Sequence, residues 1–153
     1  MLKSFPHMDK VTHVLCSPLM RTIETALEAF KPIFERGLKV ILWPQIIEFG
    51  HGPTNRGDSV EELKKKMEGQ PIDFTYLSDG WEKAANKFSD RYERVKRVAQ
   101  TLHTFCQVAT RRSEEATERL DVELLVISHG TFLRHLIRDR ECLRPSGVIL
   151  HSP

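Results

Sequence analysis

The chain has 153 residues, 40% of them hydrophobic, which suits one domain with one core. Its 23 Lys and Arg nearly balance 21 Asp and Glu, for a formal charge of +2. That balance argues against a basic domain built for nucleic acid and against a charged tail. Eight Gly and eight Pro exclude a low-complexity chain.

The first 16 residues contain a short β-branched run, Val11-Thr-His-Val-Leu-Cys16, which predicts a buried strand. Ser17-Pro18 follows at once and predicts an N-cap with proline at the first helical position. Leu19, Met20, Ile23, Ala26, Leu27 and Phe30 then mark a core-facing helix stripe, interrupted by Pro32 and closed by Gly37. Lys39-Val-Ile-Leu-Trp43 predicts a second strand, ended by Pro44. The polar, Gly-rich stretch 48–57 is a loop of the length that is more often functional than connective. Ser59-Val-Glu-Glu62 is a capping-box pattern opening a Lys-rich helix.

Asp79-Gly80 punctuates the chain before Trp81. Phe88, Tyr92, Val95, Ala99, Leu102, Cys106 and Ala109 predict a long amphipathic helix, with Arg91, Glu93, Arg94, Lys96 and Arg97 on its charged face. The run 111–119 reads as a solvated helix end and loop. Val122-Glu-Leu-Leu-Val-Ile127 is the strongest strand signal. Ser128-His129-Gly130-Thr131 turns into a helix marked by Leu133, Leu136 and Ile137, and Gly147-Val-Ile-Leu150 suits a last strand. Strands alternating with helices in this way predict an α/β domain with a mainly parallel sheet flanked by helices.

Cys16, Cys106 and Cys142 are odd in number, far apart and without a CxxC pair, so neither a disulfide framework nor a zinc site is expected. His51, His129 and His135 lack metal-site spacing. No apolar run approaches the roughly 20 residues of a membrane helix, and the first residues lack a signal-peptide pattern. These features predict a cytoplasmic protein that does not engage membranes; its oligomeric state is left open. Neither GxxxxGK[ST] nor GxGxxG occurs, and no cofactor is expected. GxSxG is also absent, which leaves a serine-hydrolase elbow unsupported.

The chemistry gathers at two strand-to-helix junctions, around Ser17 to Thr22 and around Ser128 to Thr131. Ligands of open α/β sheets bind outside the carboxyl ends of the strands, where helix N-termini offer free N–H groups. Taken singly, Arg21 reads equally well as a surface residue, and a lone His129 as structural. Together they predict an oxyanion site, with Arg21 supplying planar bidentate donors that match a phosphoryl group. On spacing alone Glu48 is an ordinary loop carboxylate.

Ser17-Pro-Leu-Met-Arg-Thr-Ile-Glu-Thr-Ala26 and Val126-Ile-Ser-His-Gly-Thr-Phe-Leu133 resemble two motifs of the histidine phosphatase superfamily, the phosphoglycerate-mutase-like proteins. The stretch 42–81, with Glu48 and the Asn55-Arg-Gly57 turn, is similar to the family's fungal branch. The resemblance spans roughly residues 11 to 137. It implies an α/β sandwich and phosphoryl transfer, or phosphomonoester hydrolysis, through a phosphohistidine. It further implies that Arg21 clamps the phosphoryl oxygens, with Ser17 and the Gly130 N–H nearby. His129 would be the second histidine, bonding the phosphoryl group, and Glu48 the acid that protonates the leaving oxygen. That last role suits a carboxyl whose pKa is raised by burial. The implied partner is phosphate or a phosphorylated small molecule.

One family feature has no counterpart. The nucleophilic Arg-His-Gly segment, which in the family lies well upstream of the first motif, does not occur in these 153 residues. The sequence therefore predicts a single domain over 1–153 that is N-terminally truncated, lacks its first strand and its nucleophile, and is inactive as it stands. Loss of an interior strand predicts neighbours with unpaired backbone groups and a marginal fold. Two other readings stay open: a non-catalytic phosphoanion-binding or interaction module, and an unrelated α/β enzyme with Cys16 as nucleophile.

Overall fold

Every strand expected from an aliphatic run joins one parallel sheet in the computed structural model, which describes residues 7–50, 52–84, 91–115, 122–138 and 148–151. In chain order the elements are β1 (His13–Cys16), α1 (Met20–Ala29), α2 (Lys31–Glu35), β2 (Val40–Leu42), α3 (Val60–Lys66), β3 (Ile72–Asp73), α4 (Trp81–Ala84), α5 (Arg91–Glu115), β4 (Leu124–Ile127), α6 (Gly130–Arg138) and β5 (Val148–His151). The sheet runs β3-β2-β1-β4-β5, and every pairing is parallel. Among the described helices, none is long and apolar enough to cross a membrane.

Strand alternation sorts the core into two layers. Val14, Cys16, Val40, Leu42, Leu125 and Ile127 face Leu19, Ile23, Ala26 and Phe30 of the α1 segment, with Ile33 and Leu63 beside them. Leu124 and Val126 face the other way, against Val95, Val98, Ala99 and Leu102 of α5 and Phe132, Leu133 and Leu136 of α6. All four residues of β4 are buried, which is why its sequence is apolar without interruption. At the carboxyl edge Cys16 lies level with Leu42 and Ile127, and Ile127 lies level with His151.

Local signals fared well where a short-range interaction decides the outcome. Ser59 accepts from the Glu62 N–H while Glu62 reaches back to the Ser59 N–H, so the capping box opening α3 is formed. Gly37 and Gly80 take positive φ at the turns they mark.

Five expectations need correction. Ser17 is not an N-cap: Leu19 holds that position and α1 begins at Met20, because the Ser17 N–H extends the strand pairing to Ile127 O and its hydroxyl turns to His129. Tyr92 is 67% exposed, whereas Arg94, expected on the charged face, is 4% exposed. The start of α5 rolls Arg94 inward because Phe49 and Phe132 offer their ring faces to it. Ile137 also lies outward, since Phe132, Leu133 and Leu136 already form the buried face of α6. The two-residue β3 was not expected from the sequence; it is too short to carry a periodic signal.

The fifth correction concerns the predicted gap in the sheet. Among the described strands, β1 is bonded on both sides by β2 and β4, and β4 on both sides by β1 and β5. Because β5 occupies the far flank of β4, the interior strands keep their backbone partners. Phe88 and the loop end at 116–119 lie outside the described residues.

Candidate functional site

Parallel register brings the two junctions together. The Ser17 N–H donates to Ile127 O at 3.0 Å, so the chain leaving β1 runs beside the chain leaving β4. Two residues beyond Ile127, the His129 ring is 3% exposed and faces the first turn of α1. Its Nε2 lies 2.8 Å from Ser17 Oγ and 3.3 Å from Thr22 Oγ1, both fully buried residues. Its Nδ1 lies 3.1 Å from Arg21 Nη2.

These partners assign the tautomer. A guanidinium only donates, so Nδ1 must accept and the ring proton belongs on Nε2, where the Ser17 and Thr22 hydroxyls accept it. Burial, reinforced by Arg21, pulls the His129 pKa down to about 4, so the ring is neutral at neutral pH. A serine nucleophile needs the opposite arrangement, with Nε2 free to take the hydroxyl proton. The Ser17–His129 pair is therefore not arranged as a hydrolytic dyad.

The exposed Arg21 guanidinium reaches back over the polar loop. Nη1 donates to Thr54 O, and Nη2 donates to Asn55 Oδ1 at 3.1 Å as well as to His129. Asn55 Nδ2 in turn donates to Phe49 O at 3.0 Å, closing the loop on itself. The loop is seated at Gly57, where a Cβ would stand 2.1 Å from the Trp81 ring. Only a hydrogen fits that contact.

Glu48 is half-buried and bridges to the start of α6. Its Oε1 accepts from the Phe49 N–H at 2.9 Å, and its Oε2 from the Thr131 N–H at 3.3 Å. Ser128 Oγ donates to Ile46 O at 2.5 Å, tying the end of β4 to the segment that carries Glu48. Gly130, the first residue of α6, lies between His129 and the Thr131 N–H that Glu48 holds.

Of the residues expected at the site, Ser17, Arg21 and His129 meet within hydrogen-bond distance. Glu48 comes to the first turn of α6, next to Gly130, and its charge is felt at His129. Sequence reasoning missed Thr22, Asn55 and Arg94 as members. Thr22 and Asn55 stood inside quoted motifs, but nothing local showed that their polar atoms turn inward. Cys16 is fully buried with its thiol donating to Ser17 O at 3.3 Å, and burial pushes that thiol's pKa far up. This environment disfavours the thiolate that a Cys16 nucleophile needs. Among the described residues, no three His, Cys, Asp or Glu side chains gather as metal ligands.

An arginine and a neutral imidazole thus meet at the carboxyl edge of the parallel sheet, close to the starts of α1 and α6. A sequence profile of the histidine phosphatase superfamily (branch 1) matches residues 3–148, and the chain belongs to that family. Its general chemistry is accordingly that of a family acting on phosphorylated substrates. No curated relative matches the chain.

Proposed function

We propose that this site binds the phosphoryl group of a phosphomonoester, or free phosphate, and that the chain by itself does not turn it over through a phosphohistidine. The observation that carries the binding half is the 3.1 Å contact between Arg21 Nη2 and His129 Nδ1, two residues 108 positions apart. A bound phosphoryl group takes over the Arg21 donors now given to Thr54 O and Asn55 Oδ1, in bidentate fashion. The Gly130 N–H adds a donor, and an anion beside the ring favours a second proton on His129 Nδ1, which then donates too, while Nε2–H stays with the Ser17 and Thr22 hydroxyls that hold the ring. Glu48, held across the first turn of α6, is the group positioned to protonate a leaving oxygen.

The catalytic half rests on the sequence, which contains no Arg-His-Gly segment to supply the covalent nucleophile. The alternative of an interaction module whose pocket stays closed is supported by both His129 ring nitrogens already having protein partners. Cys16, a fully buried free thiol, suits a reducing compartment such as the cytoplasm.

Calorimetric titration with inorganic phosphate, alongside assays with p-nitrophenyl phosphate, tests the proposal. Phosphate is expected to bind the wild type and to lose most of its affinity in Arg21→Ala and His129→Ala, without burst release from the ester. Indistinguishable titration curves for all three proteins overturn the binding site. Sustained turnover overturns the inactive reading, and His151→Ala then tests the histidine level with Ile127 as its source.

A further inference from the structure

Among the described residues, Arg94 is the one buried Arg or Lys, and the reading above leaves it without a role. It lies on α5, whose neighbouring charges Arg91, Glu93, Lys96 and Arg97 are exposed, yet Arg94 itself is 4% exposed. Burying a guanidinium is costly, and a helix with ample aliphatic residues has no packing need for one. Its surroundings are specific. The Arg94 Cζ lies 4.4 Å from the Phe49 ring centroid and 5.1 Å from that of Phe132, and the two rings are 5.5 Å apart. Both distances are within cation–π range, so the guanidinium clamps onto two rings that also touch each other.

Both rings belong to the site's own framework. Phe49 directly follows Glu48 and gives its N–H to Glu48 Oε1. Phe132 directly follows Thr131, whose N–H holds Glu48 Oε2. The clamp therefore grips the two segments that together fix the Glu48 carboxylate. The titratable groups around it are Glu48, His129, Arg91 stacked on Phe49 at 5.4 Å, and His135 edge-on to Phe49 at 5.5 Å. Burial pulls the Arg94 pKa down to about 10 while Glu48 opposes that shift, so Arg94 keeps its charge at neutral pH. That charge is in turn one of the influences that lower His129.

We propose that Arg94 is a positioning residue of the phosphoanion site: packed against both Phe49 and Phe132, it fixes Glu48 at the start of α6 and supplies a second positive charge, besides Arg21, for a dianionic phosphoryl group. The inference rests on the phosphoanion reading above. It adds that the site is tuned to an anion of two charges, because its positive charge comes from two arginines on different helices, one exposed and held by the polar loop, the other buried against two rings.

The 153-residue chain and its Arg94→Met, Arg94→Gln and Arg94→Lys variants are compared by inorganic phosphate titration at neutral pH and by NMR titration of the His129 ring. Removing a charge at this range is expected to weaken phosphate binding by about three- to tenfold in R94M. It is also expected to raise the His129 midpoint. R94K, which keeps the charge, is expected to retain affinity within about twofold, a pattern that packing alone does not produce. R94Q keeps a planar polar group without the charge and replaces R94M should the latter not be folded by circular dichroism. Wild-type affinity and an unmoved His129 midpoint in a folded R94M or R94Q overturn the proposal. If phosphate binds no variant, wild type included, the phosphoanion reading fails instead, and an unmoved His129 midpoint in R94M still overturns the positioning role by itself.

Discussion

A buried neutral histidine makes stability depend on pH, and His129 allows the size of that dependence to be worked out. Its pKa lies at about 4 in the folded chain against 6.5 for an ordinary histidine. The unfolded chain therefore binds a proton between these values that the folded chain refuses. Stability tied to the neutral ring is fully present above pH 6.5 and is lost as pH falls toward about 4. A difference of 2.5 units, 6.5 minus 4, corresponds to about 3 kcal/mol in total, of which about 2 kcal/mol is gone by pH 5.

The perturbation is His129→Gln, which keeps a polar group of similar reach but cannot titrate. Urea unfolding of wild type and variant, followed by circular dichroism from about pH 7 to about pH 4.5, isolates the histidine because all carboxylates are common to both chains. At neutral pH the variant is expected to be less stable, having lost its bonds to Ser17 and Arg21. The wild type is then expected to lose about 2 to 3 kcal/mol more than the variant on acidification. Parallel pH profiles would refute both the buried neutral ring and the tautomer assigned from Arg21. Saturating phosphate is expected to reduce the difference, since an anion beside the ring favours its proton.

Other consequences follow from the same geometry. Asn55→Ala removes a competitor for Arg21 Nη2, and phosphate affinity is expected to rise by about two- to fivefold, the worth of one hydrogen bond; a loss as deep as that of R21A would show that Asn55 serves the anion instead. Gly57→Ala pushes a Cβ to within 2.1 Å of the Trp81 ring and is expected to cost about 1–3 kcal/mol, read as a lowered Tm and a shifted tryptophan emission. An unchanged melting curve would contradict the close approach. Ser59→Ala breaks the capping box at α3 and is expected to cost about 1 kcal/mol in urea unfolding, without effect on phosphate binding. Cys16, fully buried, is expected to react with a thiol reagent only after denaturation, whether or not phosphate is present.

Periodicity alone located the strands ending at Cys16, Leu42 and Ile127, the helix stripe through Ile23 and Ala26, and the capping box at Ser59. Each is a local matter: side-chain alternation, a 3–4 repeat or a three-residue hydrogen-bond bracket leaves its trace in adjacent letters. Arg94 shows the limit. On its own helix it belongs to a charged run, and only the arrival of Phe49 and Phe132 from distant segments turns it inward. Ser17 shows the same limit in reverse. A Ser-Pro pair before a helical stripe reads as a cap, but the available partner was His129, 112 residues away.

The sequence by itself determined the α/β class, the family and the identity of Arg21 and His129 as polar residues that a core does not need, while Glu48 stood out only through the family resemblance. Only the tertiary structure decided that β4 would be flanked on both sides, that the His129 ring would be neutral with its proton on Nε2, and that Arg21 would be held by its own loop. Those outcomes depend on which atoms meet across more than 100 residues of chain, as Ser17 and His129 do. Proton placement and charge burial are set by that encounter, and no local pattern encodes it.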